Sequence, residues 1–203
     1  MEDGFHQIAR MEPRFTTVLQ RHGEPPSRKR PGGFETILKT IVQQQVSLAS
    51  ANAIWGRLRK GLSRVNAGAV LALDEDDLRG FGLSRAKAIC ARSLAEEVAY
   101  GRLKFRKLPH LEDEDVIVSL TRIKGIGRWT AEVYLLGALQ RPDIWPAADT
   151  ALMEGIRDLL GLDSRPTMKE MLVLAEPWRP YRTFAARTTW LHYRHMTNRG
   201  TVA

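Results

Sequence analysis

Leu120-Thr121-Arg122-Ile123-Lys124-Gly125-Ile126-Gly127-Arg128-Trp129-Thr130-Ala131 decides how this chain is read. An apolar helical stripe enters it through Val116, Ile117 and Leu120, and a second helix restarts at about Arg128 and continues to Leu139. Two helices therefore meet across Lys124-Gly125-Ile126-Gly127. Glycines at 125 and 127 can take backbone angles closed to other residues, and they let an outside group approach the main chain. The second helix begins at once, so its first N–H groups and the positive end of its dipole point at that same spot. Ile126, between the glycines, is suited to plug the turn against its own two helices. Such a turn can hold a phosphate without reading sequence. A bare Gly-x-Gly between helices is equally an ordinary helical corner with glycine at its cap, and the turn alone leaves both readings open.

Outward from this turn, helical periodicity dominates and strand signals are nearly absent. Phe34 to Leu62 reads as two consecutive helices, with Ile37, Leu38, Ile41 and Val42 on one stripe and Ala51, Ile54, Trp55 and Leu58 on the next. Asp74 to Arg79 reads as a short helix. Ser84 caps a longer one that runs to about Tyr100 and ends at Gly101. Leu111-Glu112-Asp113-Glu114-Asp115 opens the helix into the turn with its acids first, as the helix dipole favours. After Arg141-Pro142-Asp143 breaks the following helix, Asp149 opens one to Leu160. Thr167 to Glu176 and about Pro180 to Met196 complete the set. Pro25-Pro26 and Pro31-Gly32-Gly33 mark the one clear joint. The fold class is all-α, with about ten short helices and no internal repeat.

The chain has 203 residues, enough for one sizeable domain or two tightly joined lobes. Its 31 lysines and arginines exceed its 23 acids and give +8, a balance that favours a polyanionic partner or, equally, marks a solvated basic face. Basic residues gather at Ser27-Arg28-Lys29-Arg30, at Arg102 to Lys107 and from Arg179 to Arg199. No apolar run of membrane-spanning length occurs, and the opening MEDGFHQIAR does not read as a signal peptide. The single cysteine, Cys90, excludes an internal disulfide and a four-thiolate iron–sulfur cluster. It points to a reducing, cytoplasmic setting. His192 and His195 stand at i, i+3 with no carboxylate spaced to join them, so no zinc site is expected. No P-loop, nucleophile elbow or dinucleotide fingerprint is present.

Leu120-x-x-Ile-Lys-Gly-Ile-Gly-x-Trp-Thr-Ala131, followed by Ala148-Asp149-Thr150, closely resembles the hairpin-plus-aspartate signature of the helix-hairpin-helix (HhH-GPD) DNA glycosylases. Ile41-Val42-Gln43-Gln44-Gln45-Val46-Ser47 resembles the glutamine-rich turn of the same superfamily. Trp178-Arg179-Pro180-Tyr181-Arg182 to Trp190 resembles the C-terminal helix entry of its DNA-3-methyladenine glycosylase II branch. These blocks span residues 34 to 193 in the family's order, and only about 30 helical-looking residues precede them. The resemblance is therefore to a compact form without the β-rich N-terminal domain of longer members.

The resemblance implies a two-lobed fold, with residues 1–33 and 142–203 in one lobe and 34–141 in the other. The second lobe would hold the helix-hairpin-helix at about 112–140, and an active-site cleft would lie between the lobes. It implies a monofunctional glycosylase of base excision repair that removes alkylated purines such as 3-methyladenine and 7-methylguanine. Asp149 would be the catalytic carboxylate, stabilising the sugar cation that forms as the glycosidic bond breaks. Asp149-Thr-Ala-Leu is also good N-cap sequence, and the two roles are compatible. Asp143 reads as a surface turn acid. Trp129 and Trp190 would line the base pocket, where an aromatic face stacks on a flipped cationic base. Core packing is the alternative for both. Lys124, Gly125, Ile126, Gly127, Arg128 and Thr130 would form the DNA-binding hairpin. Gln45, or Gln44 if the register slips, would be the wedge that fills the hole left by the flipped nucleotide. Main-chain oxygens of Thr121, Ile123 and Gly125 would hold a structural Na⁺ or K⁺, with no other cofactor. Bifunctional members place a Schiff-base lysine where this chain has Trp129, so no lyase step is expected. Longer members carry a tyrosine where this chain has Val133, with Tyr134 following, which changes one pocket wall. The implied partner is double-stranded DNA containing damaged bases, met by a monomer at the nucleoid and not at a membrane. Two readings stay beside it: a glycosylase of this fold for ethenoadenine, hypoxanthine or uracil, and a non-catalytic helix-hairpin-helix DNA-binding protein.

Overall fold

A computed structural model describes residues 4–198. Among these residues the chain is all-helical: α1 Gly4–Met11, α2 Pro13–His22, α3 Phe34–Gln43, α4 Leu48–Gly61, α5 Ala67–Leu71, α6 Glu75–Gly80, α7 Arg85–Ala99, α8 Asp113–Thr121, α9 Arg128–Gly137, α10 Thr150–Leu160, α11 Met168–Leu174 and α12 Arg182–Thr197. Two 3-10 turns, Phe105–His110 and Glu176–Trp178, precede α8 and α12. None of the described helices is long and apolar enough to cross a membrane.

The starts of these helices are written locally. Ser47, Asn66, Asp74, Ser84, Asp149 and Thr167 each turn a side-chain oxygen onto a first-turn N–H, and Asp74–Asp77 and Thr167–Glu170 complete reciprocal capping boxes. The helical N-terminal segment consists of two helices. Pro13 stands at the first turn of α2, where its missing N–H costs nothing.

The chain forms two compact units, divided after Lys29 and after Leu139, where the sequence reading divides it after Gly33 and Arg141. The earlier of these shifts has a visible cause. Arg30 N–H donates to Gly137 O (2.9 Å) and Gly33 N–H to the Tyr134 hydroxyl (3.0 Å), which ties residues 30–33 to α9.

The unit of residues 30–139 buries Ile37, Leu38, Ile41 and Val42 of α3, Leu58 of α4, Leu94 of α7, Leu120 of α8 and Leu135 of α9. The unit of residues 4–29 and 140–198 is built on α12, against which α1, α2 and α10 pack. Its core is aromatic. Phe5 meets Phe184 edge-on at 5.1 Å, and Trp178 meets both Phe15 (5.0 Å) and Trp145 (5.3 Å). Asp143 is more than the surface turn acid of the sequence reading. Its carboxylate accepts from Arg182 Nε (2.8 Å) and from Arg179 (2.9 Å), which fixes the start of α12.

Candidate active site and nucleic-acid interface

Asp149 caps α10: its Oδ1 accepts from Leu152 N–H at 2.8 Å. The same oxygen accepts from the Trp190 indole Nε1–H at 3.1 Å. Asp149 is 7% exposed and Trp190 is 1% exposed. Two donors converging on one oxygen fix the plane of a carboxylate that burial has taken out of bulk water. The cap role and a positioned anion therefore coexist in one side chain. The sequence reading named Trp190 a pocket residue but missed its bond to Asp149. Spacing of 41 residues carries no local signal for it.

The guanidinium carbon of Arg28 lies 4.8 Å from the centroid of the Trp190 ring. Arg187, on α12, donates to Pro25 O (3.2 Å) and Pro26 O (3.3 Å) and pins the segment that carries Arg28. In the sequence Arg28 counted only as part of a basic cluster.

In the other unit, the hairpin between α8 and α9 has the shape its glycines imply, though for two different reasons. Gly125 has φ +90°, and a Cβ there would meet Cys90 Cβ at 2.8 Å and Sγ at 2.9 Å. Conformation and packing both demand glycine. Gly127 has φ −91° and ψ 170°, extended backbone open to any residue, and a Cβ there would meet nothing within 4 Å. Its conformation is thus not closed to other residues, against the sequence expectation. What its missing side chain provides is open room over the start of α9. As N-cap it gives that helix no side-chain acceptor. Ile126 is buried and donates its N–H to Ile123 O at 3.0 Å, closing the turn. Burial raises the Cys90 thiol to about 11, so it stays neutral and apolar behind Gly125.

The remaining hairpin residues separate. Lys124 is exposed. Arg128 makes a bidentate pair with Glu114 (3.0 and 3.0 Å) and a third bond to Glu132 (3.0 Å). The hydrogen bond from Arg128 holds the Glu114 carboxyl below its ordinary range. Thr130 is buried and its hydroxyl accepts from Gln44 Nε2 at 2.9 Å, so it faces the glutamine turn and not solvent. Trp129 is half-buried at the start of α9. Val133 and Tyr134 are both buried, and the Tyr134 hydroxyl belongs to the cap of α3.

The glutamine turn follows α3 directly. Lys87 Nζ donates to Val42 O at 2.9 Å and caps that helix end. Gln43 is buried, Gln44 reaches to Thr130 and, more weakly, to Gly125 O (3.4 Å), and Gln45 is exposed with φ +51°. The three glutamines thus have three different surroundings. Only Gln45 is presented outward.

The main-chain oxygens expected around a monovalent ion can be tested for fit. Ile123 O accepts one bond from Ile126 N–H, and Gly125 O accepts the weak one from Gln44. Each keeps a lone pair for a hard cation. Among the described residues no group of three or more His, Cys, Asp or Glu is arranged to hold a metal ion. A carboxylate does reach His192, Asp158 of α10 at 2.8 Å, which spacing on α12 could not reveal; His195 stacks on His22 at 3.8 Å.

Comparison with known proteins places this geometry in a lineage. The chain is 29% identical over 184 residues to the YfjP protein of Bacillus subtilis, a match covering 87% of this chain and 64% of that protein, just under two thirds of its length. It is 34% identical over 164 residues to DNA-3-methyladenine glycosylase 1 of Schizosaccharomyces pombe, covering 77% of this chain and 71% of that one. The solved structure of the S. pombe 3-methyladenine DNA glycosylase in complex with abasic DNA superposes with a TM-score of 0.85 at 29% identity, over 94% of this chain and 95% of that one. Residues 38–180 match the family model described as HhH-GPD superfamily base excision DNA repair protein. With the hairpin, the capped aspartate and the glutamine turn all inside that span, the chain belongs to the HhH-GPD superfamily of base excision DNA repair proteins.

Proposed function

We propose that this chain is a monofunctional DNA glycosylase that flips alkylated purines, 3-methyladenine and 7-methylguanine among them, out of double-stranded DNA and hydrolyses their glycosidic bonds. The observation that carries the reading is the buried Asp149 carboxylate, held on one oxygen by both Leu152 N–H and Trp190 Nε1–H. Capping α10 needs only the bond from Leu152; the second donor, Trp190 Nε1–H, holds the buried carboxylate in a way that a DNA-binding module without catalysis does not require. As the C1′–N bond breaks, its electron pair leaves with the base and positive charge develops on the sugar. Asp149 stabilises that charge and orients a water whose oxygen bonds to C1′, while the water's proton passes to the carboxylate or to solvent. An N-alkylated purine is a good leaving group, so little acid assistance is required.

The hairpin supplies the grip. Open space above Gly127 and the N-terminus of α9 fit a phosphate, and exposed Lys124 adds charge. A Na⁺ or K⁺ on the main-chain oxygens of Thr121, Ile123 and Gly125 would add a further positive point for that phosphate. Gln45 is our candidate for the wedge, because it is the outward-facing member of its turn. Trp129 stands where bifunctional relatives have their lysine, so the product is an intact abasic strand. The single cysteine favours a reducing, cytoplasmic setting, and the +8 charge favours chromosomal DNA as the partner of a chain we take to work as a monomer.

Incubation with methylated duplex DNA, and mass spectrometry of the released bases, tests the reading. Released 3-methyladenine and 7-methylguanine with no borohydride-trapped protein–DNA adduct are expected. No released base from any alkylated duplex would refute it.

A further inference from the structure

Trp190 is almost completely covered, yet a base pocket needs one of its faces. Arg28 covers one face of the ring, with its guanidinium carbon 4.8 Å from the centroid. Arg28 lies in the segment between α2 and α3. Arg187 holds that segment to α12 through Pro25 O and Pro26 O, and a local turn spans Arg28, with Ser27 Oγ accepting from Lys29 N–H at 3.2 Å. Arg187 and Trp190 stand three residues apart on α12, close to one helical turn. The helix therefore both anchors the segment and receives its arginine. The indole itself is tethered through Nε1 to Asp149, so the ring is the fixed partner. Arg28 is the adjustable one, a half-buried side chain on a long flexible stem.

We propose that Arg28 is a specificity-determining residue that occupies the stacking face of Trp190 and yields it to cationic bases in preference to neutral ones. The proposal rests on the glycosylase reading and deepens it. A guanidinium is a planar, delocalised cation held by the negative face of an indole. A purine alkylated at N3 or N7 is, while still joined to its sugar, another planar cation. When such a base displaces Arg28, one cation–π contact with the ring replaces another. A neutral base must give up that contact and returns only stacking. The fold thus sets a threshold at the ring that charge on the lesion crosses and shape alone does not. With the backbone tied to α12 at residues 25–26, the exchange is made by the Arg28 side chain.

The test compares wild type, Arg28→Ala and Arg28→Lys in single-turnover release of 7-methylguanine and of hypoxanthine from matched duplexes, beside affinity for undamaged duplex. Arg28→Ala should raise hypoxanthine release by about twofold to thirtyfold, the span of a cation–π contact expressed as a ratio. It should change 7-methylguanine release less and leave undamaged-duplex affinity where it was. Arg28→Lys, still charged but without the plane, should fall between. An unchanged ratio between the lesions would overturn the proposal and leave Arg28 as surface packing. An equal loss on both lesions, with weaker undamaged binding and a shallower salt dependence, would overturn it in favour of a phosphate contact. A second readout does not depend on catalysis: quenching of tryptophan fluorescence by 1-methylnicotinamide, a small planar aromatic cation. Quenching should be stronger in Arg28→Ala than in wild type, and the gain should vanish when Trp190→Phe is added. Should wild type release neither base while this quenching pattern holds, the glycosylase reading fails and the guarded ring stands. Quenching equal in all three proteins would sink the guarded ring itself.

Discussion

Leu152 N–H and the Trp190 indole both donate to Asp149 Oδ1, and an asparagine keeps an oxygen at that place. Asp149→Asn should therefore fold and bind DNA as wild type does, while losing the charge opposite the developing sugar cation. Single-turnover base release should fall by a hundredfold or more, about 3 kcal/mol or more in the barrier at 1.4 kcal/mol per tenfold. Release within threefold of wild type would remove Asp149 from catalysis. The two hairpin glycines invite a contrast. Gly125→Ala meets both a positive φ and the Cys90 side chain, so it should cost about 1–3 kcal/mol in urea unfolding. Adding Cys90→Ala removes the Sγ contact but keeps the nearer Cβ one, so it should return only part of the loss and leave the rest of the steric part and the backbone part. Gly127→Val meets neither obstacle, so it should unfold like wild type and yet bind damaged and undamaged duplex more weakly. Loss of stability with binding intact would make Gly127 a plain corner residue. The Cys90 thiol carries a pH signature as well. Burial favours its neutral form, so its stabilising effect is complete below the ordinary value of 9.0 and is lost as pH rises toward about 11. Native protein at pH 8 should accordingly resist thiol alkylation that urea-unfolded protein undergoes at once.

Elements were legible in the sequence wherever their signals were local. Caps such as Ser84, Asp74 and Thr167 sit beside the helices they start, and the stripe Ile37, Leu38, Ile41 and Val42 marks its buried face by spacing alone. Helix α5 escaped notice because five residues are too few for a period to show, and the 3-10 turn at Phe105–His110 because Pro109 interrupts any helical pattern there. What could not be read was pairing between segments distant in the chain. Asp143 looks like a loop acid until α12 returns to place Arg179 and Arg182 on it, 36 and 39 residues away. Arg28 over Trp190, and Gln44 on Thr130, are hidden for the same reason. The glutamine turn shows how tertiary contact resolves a register that three identical residues leave open. Gln44→Ala should loosen the tie between α3 and the hairpin and reduce binding to any duplex. Gln45→Gly should suit the backbone at φ +51°, since glycine populates that region freely. It should leave stability unchanged or slightly higher while slowing base flipping, seen as a fall in 2-aminopurine fluorescence change at the target site. Normal flipping in Gln45→Gly and impaired flipping in Gln44→Ala would move the wedge to Gln44.

At the scale of the whole molecule, a +8 chain is attracted to any duplex, so charge alone does not identify which cations meet phosphate. Salt dependence does, because each phosphate neutralised releases counterions and adds about 0.9 to the log–log slope of affinity against salt. The hairpin offers two cations in unlike circumstances. Lys124 is exposed and pairs with no acid among the described residues, whereas Arg128 is bound by Glu114 and Glu132. A guanidinium already neutralised by two carboxylates has little net attraction for a phosphate, and moving it there would strand both acids near the DNA. Lys124→Ala should therefore weaken binding to damaged and undamaged duplex by the same factor and lower the slope by about one unit. Arg128→Ala should lower the slope by less, because its removal also exposes two acids whose charge it was cancelling. That excess negative charge should still weaken binding at low salt. The stability of the two variants separates in the opposite sense. Arg128→Ala loses bonds that join α8 to α9 and should unfold at lower urea, by about 1 kcal/mol for exposed pairs of this kind. Lys124→Ala should not change the urea midpoint. Fluorescence anisotropy of a labelled duplex, titrated at four or five salt concentrations, gives both slopes. A larger loss of slope for Arg128→Ala than for Lys124→Ala would mean that Arg128 leaves its acids for the phosphate on binding, and the division of labour drawn at the hairpin would be reversed.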